Sequence, residues 1–100
     1  MLKNPLNMAE NEAILYLKAS GFSDEIKALH NLRLLNETPF KGHIEELASL
    51  ILSAPSPDDA LNNLERIASH LSSEAINSFI KGKKNLKNLI IICGSSNLLS

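Results

Sequence analysis

The chain has 100 residues, a formal net charge of -1 and a pI near 6.3, which gives it no electrostatic footprint for nucleic acid or anionic lipid. Its 44% hydrophobic content is that of an ordinary globular protein, and the length suits one domain or a piece of a larger one. Eighteen Leu and ten Ile stand beside no Val, no Trp, one Thr and one Tyr, a balance that turns the chain away from strands and towards helix.

Taken in order, the first helix is expected from about Met8 to Ser20. Asn7 is its N-cap and Glu10, three residues on, its capping-box partner. Ala13, Ile14 and Leu17 form its apolar side, with Leu15 a further candidate, and Gly21 is a natural residue to end it. Ser23 caps a second helix, with Asp24 and Glu25 in the turn where the dipole favours negative charge. Ile26, Leu29, Leu32 and Leu35 make its stripe, and it ends before Pro39. Gly42 and His43 open a third helix carrying Ile44, Leu47, Ala48, Leu50, Ile51 and Leu52. Pro55 closes it at Ala54, because the residue before a proline avoids helical geometry.

The clearest helix start lies at Pro55 to Leu71, PSPDDALNNLERIASHL. Ser56 reads as the N-cap and Pro57 as the first helical residue, where a missing N–H costs nothing. Asp58 and Asp59 read as capping charges, Asp59 closing a capping box with Ser56. Ala60, Leu61, Leu64, Ile67, Ala68 and Leu71 recur at helical spacing. A fifth helix begins at Ser72 or Ser73, carries Ala75, Ile76, Phe79 and Ile80, and stops at Gly82. A sixth holds Leu86, Leu89, Ile90 and Cys93 and is bounded by Gly94. Leu89 to Cys93 could instead be a short buried strand, since a short apolar run does not reveal its period. Leu86, three residues before Leu89, favours helix. The expected fold is all-α, an irregular array of five to six short helices. Asn97-Leu98-Leu99 opens a further apolar face that stays unfinished at Ser100, so the chain reads as an excerpt of a longer protein.

Cys93 is the one cysteine, so no disulfide framework exists and the chain fits a reducing cytosol. The N-terminus lacks the apolar core of a signal peptide, and the Leu89 to Cys93 run is far too short to cross a membrane. A cytoplasmic protein with no membrane and no nucleic-acid partner is expected. The chemistry-bearing residues all have structural explanations. His30, His43 and His70 fall on different segments without a ligand-spaced neighbour. His70 reads as a cation at a helix C-terminus, and Asp58 and Asp59 as first-turn charges rather than a metal-holding pair. Cys93 in an apolar helix lacks a base and reads as core. Lys81, Lys83, Lys84 and Lys87 read as a solvated helix junction, with contact to an acidic partner or a phosphate as the other possibility. Gly94-Ser95-Ser96 mimics the Gly-Ser of nucleotidyltransferases, but no Asp or Glu follows it to hold metal ions.

The run Pro57-Asp58, then Ala60-Leu61-Asn62-Asn63-Leu64-Glu65-Arg66-Ile67, resembles the N-terminal region of the glutamine synthetase adenylyltransferases, which carry an SPDP-like turn and then ALNNLER. The order continues with a short helix, an apolar helix and Gly94-Ser95-Ser96-Asn97-Leu98-Leu99, similar to their glycine-any-serine-any-aromatic-leucine junction. The likeness covers residues 53–100. Asn97 stands where many members have proline, and Cys93 where an aromatic is common. The resemblance implies a parent that moves AMP from ATP, with Mg²⁺, onto a tyrosine of glutamine synthetase. It also implies removal of that AMP by phosphorolysis and control by a nitrogen-signalling protein. In the family the catalytic Gly-Ser and paired aspartates come after ALNNLER, so no catalytic, cofactor-binding or metal residue maps onto this sequence. The expected role is a non-catalytic helical segment of such an enzyme; the alternative is a stand-alone helical interaction module. Asn62, Asn63, Glu65 and Arg66, beside the apolar stripe, either hydrogen-bond to a neighbour or form a solvated face.

Overall fold

In the computed structural model, residues 4–95 are described. Six α-helices follow one another: α1 (Glu10–Ser20), α2 (Glu25–Leu35), α3 (Ile44–Leu52), α4 (Pro57–Ala68), α5 (Ser73–Lys81) and α6 (Lys83–Cys93). No strand occurs among the described residues, and the all-α array expected from composition is what forms. Leu89 to Cys93 is helical, so the strand alternative falls.

Most boundaries sit where local chemistry puts them. α1 ends in a Schellman motif: the Phe22 N–H donates to the Leu17 carbonyl at 3.2 Å and the Gly21 N–H to that of Lys18 at 3.3 Å. This demands a positive φ, which Gly21 supplies at +129°. Phe22 then folds back as a buried residue against the core containing Leu17. α5 begins at Ser73, one of the two starts expected, and is capped by the Ser72 hydroxyl, which accepts from the Ala75 N–H at 3.1 Å. Gly82 separates α5 from α6 by a single residue.

Five capping and packing expectations are corrected. Asn7 does not cap α1. It lies in a 3-10 turn (Pro5–Asn7) capped by Asn4, whose side chain accepts from the Leu6 N–H at 2.9 Å. Pro5 fixes that turn and moves the start of α1 two residues on. Ser23 does not cap α2; Asp24 does, accepting from the Lys27 N–H at 3.1 Å. The helix starts one residue later than expected, which puts the Asp24 carboxylate at the capping position. Ser56 stands at the N-cap of α4 but makes no side-chain bond there, so the expected capping box with Asp59 does not form. Pro57 already sets the entry angle, and the first-turn charges remain. Ile26 is 67% exposed, because α2 buries Ala28, Leu29, Leu32 and Leu35 instead. That stripe starts two residues later than the sequence suggests. Leu15 on α1 is also 67% exposed.

α4 lies at the centre and packs most extensively against α2 and α6. Ala60, Leu61, Leu64 and Ala68 are its buried residues, and the two alanines allow close approach of the neighbouring helices. Ile67 and Leu71 are half-buried and pack on the core's margin. α5 is the most peripheral helix, burying only Ile76. The α2–α3 connection is ordered by successive turns, including Lys41 N–H to Thr38 carbonyl and His43 N–H to Phe40 carbonyl, both 2.9 Å. It delivers Phe40 into the core at 0% exposure. The chain's one threonine holds this bend, donating to the Leu35 carbonyl and accepting from the Phe40 N–H. A Cα radius of gyration of 12.5 Å matches a single domain of this length.

Candidate functional site

Asp58, Asn62 and Asn63 form the polar edge of α4 and are the only side chains of that helix that hydrogen-bond to other elements among the described residues. Asp58 and Asn62 are four residues apart and therefore share a side, the one facing α2. The Asp58 carboxylate accepts from the backbone N–H groups of Ser23 and Asp24, each at 2.8 Å. Those donors precede α2 and have no intrahelical acceptor, so α4 supplies an end contact for the helix beside it. The negative charge also lies near the positive end of the α2 dipole. Asp58 thus serves a neighbouring helix as well as contributing first-turn charge to its own.

One turn on, the Asn62 side-chain oxygen accepts from the Asn31 amide at 3.1 Å. Asn31 is 6% exposed and is the one buried polar residue among those described. Its position in the apolar face of α2 is accounted for by this bond, since a buried amide without a partner is costly. On the other flank the Asn63 amide donates to the Cys93 carbonyl at 2.7 Å, one of the last-turn carbonyls of α6 left without an intrahelical donor. Asn62 and Asn63 therefore bond to neighbours rather than forming part of a solvated face. Arg66 is exposed and Glu65 half-buried.

Gly94 completes this junction. An added Cβ there would lie 2.9 Å from the Ala54 Cβ and 3.5 Å from that of Ala60. The glycine lets the end of α6 rest against the start of α4. Its φ of -81° is open to any residue, so space alone requires it. Ser96 to Ser100, and with them the Asn97-Leu98-Leu99 face, lie outside the described residues.

The remaining candidates stay apart. His30 is on α2, His43 at the start of α3 and His70 two residues beyond α4. His70 lies outside the helix, and Arg66 is the cation in its last turn. No group of His, Cys, Asp and Glu that could hold a metal ion occurs among the described residues. Cys93 is fully buried, and loss of solvation pushes its thiol up to about 11, leaving it protonated at neutral pH. Among the described residues, two surface ion pairs cross between helices: Arg33 with Glu10 at 3.4 Å, and Lys83 with Glu46. Both are exposed enough to contribute little. No helix among the described residues is long and apolar enough to cross a membrane. The contacts of α4 can hold helices in place; they bring no nucleophile to a base. Compared with known proteins, the chain matches no family model, no curated protein and no solved structure.

Proposed function

We propose that this chain is a non-catalytic helical scaffold segment whose central helix holds α2 and α6 through polar side chains. The observation that carries the proposal is the placement of Asp58, Asn62 and Asn63. Of the six polar residues in the PDDALNNLER run, Asp58, Asn62 and Asn63 are taken up in contacts to α2 and α6. The finer reading rests on the likeness of this run to the glutamine synthetase adenylyltransferases. On that reading the segment belongs to a cytoplasmic enzyme that transfers AMP from ATP to a tyrosine of glutamine synthetase, using Mg²⁺, and removes it under nitrogen control. Glutamine synthetase and the signalling protein would be partners of the parent. The second reading, a stand-alone interaction module, draws on the half-exposed Ile91 and Ile92.

Complementation in trans tests the finer reading. An adenylyltransferase lacking its N-terminal helical region is mixed with this chain, ATP, Mg²⁺ and glutamine synthetase, and AMP incorporation is followed. Incorporation above the truncated enzyme alone supports it. No gain with a chain shown folded by circular dichroism overturns it. The chain by itself should transfer no AMP, and measurable transfer would overturn its non-catalytic assignment.

A further inference from the structure

The outward side of α6 is basic in its first half and apolar in its second. At a helical period of 3.6, Lys84, Lys87, Asn88, Ile91 and Ile92 lie opposite the buried Leu86, Ile90 and Cys93. All five are exposed, Ile91 at 44% and Ile92 at 52%. α3, α4 and α5 pack on the other side.

The charges on this face are uncompensated. α1 to α5 each carry a carboxylate in the first turn. α6 has none there and bears Lys83 and Lys84 instead. Positive charge at a helix start opposes the dipole, and Lys83 and Lys87, four residues apart, repel each other. Glu46 takes up Lys83. Lys84 and Lys87 have no ion-pair partner among the described residues. A carboxylate-bearing partner would relieve this strain, and the same partner would cover the two isoleucines one and two turns further on.

We propose that this face docks an amphipathic helix of a partner protein, with Asp or Glu over Lys84 and Lys87 and aliphatic side chains over Ile91 and Ile92. A bilayer fits less well. Two half-exposed isoleucines offer little apolar area to insert, and the chain's net charge of -1 gives anionic lipid no long-range attraction. The inference deepens the scaffold reading by giving the segment a partner surface, and it stands whether or not the parent is an adenylyltransferase.

The probe is a synthetic helical peptide with Glu in its first turns and Leu in its last, titrated into the ¹⁵N-labelled chain. Backbone amide shifts should concentrate at residues 84–92 and fade with added salt. The double variant K84E and K87E should bind about tenfold or more weakly. It should also melt a few degrees higher than the parent chain, since it places acid where the dipole favours it. The raised melting temperature shows the variant folded, so its weakened binding cannot come from unfolding. Shifts elsewhere on the surface, equal binding by the variant, or a melting temperature that does not rise would overturn the proposal. So would tighter binding of phosphatidylglycerol vesicles than of the peptide at the same lysines, or self-association of the chain that I91S and I92S abolish. Failure here leaves the complementation result untouched, so the two readings fail separately.

Discussion

Asp58 and Asp59 are adjacent, identical in chemistry and both in the first turn of α4, yet they differ in what they hold. Asp58 accepts two backbone N–H groups from the start of α2, while Asp59 is exposed. Asp58→Ala should cost ~1–2 kcal/mol, as loss of a capping acceptor does, and Asp59→Ala less than ~0.5 kcal/mol. Urea denaturation of the two variants side by side checks this; equal effects would reduce Asp58 to a dipole charge. The sequence carried the presence of a helix start but not this division. The acceptor and its donors are more than thirty residues apart, and periodicity reports only on neighbours. Gly94 has a similar history. It was legible as a helix stop, but its contact with Ala54 depends on how α6 meets α4. Gly94→Ala should destabilise by ~1–3 kcal/mol through overpacking. Cys93 adds a pH dependence. Its folded thiol is raised to about 11 from 9.0, so the unfolded chain releases that proton first. The contribution is intact below pH 9 and is lost as pH climbs towards 11, at a cost of ~2 kcal/mol. Denaturation midpoints of the parent chain should fall more steeply across that window than those of Cys93→Ala.

At the scale of elements, the punctuation of the chain was informative. Gly21 and Gly82 mark real boundaries through local backbone geometry and Ser72 marks one through its hydroxyl, while α3 ends at Leu52, two residues short of the Ala54 expected from Pro55. Side-chain capping was less so: Asn7, Ser23 and Ser56 are all capable caps, and none is used as one. Several oxygens lie within reach of each helix start, and tertiary packing chooses among them. Apolar stripes were read well in α4 and α6, whose buried residues all lie among those expected. They were misread in α2, where Ile26 extends the pattern past the packed face. Asn31, a polar residue inside the buried stripe, and Phe40, between helices, had no periodic signal at all. Leu64 lies at 0% exposure in the face of α4. Leu64→Ala should cost ~2–5 kcal/mol, whereas Ile26→Ser should stay within about 0.5 kcal/mol. Thermal melts of the two variants separate core from surface.

For the molecule as a whole, α4 brings two kinds of stabilisation to one place. Its apolar stripe closes the core, and its polar edge fixes the start of α2 and the end of α6. The all-α class could be read from composition, rich in Leu with no Val or Trp and one Thr, together with the helical spacing of the apolar residues. The arrangement could not, since it depends on pairings between distant segments. The central claim, that the PDDALNNLER helix acts as a scaffold through its polar edge, has one direct test. The triple variant D58A, N62A and N63A is unfolded in urea beside the parent chain, whose stability should lie near ~5–10 kcal/mol. A loss of ~2–4 kcal/mol is predicted, from three bonded side chains at about 1 kcal/mol each. A loss under ~0.5 kcal/mol would mean that the polar edge is a solvated surface, and would contradict the account.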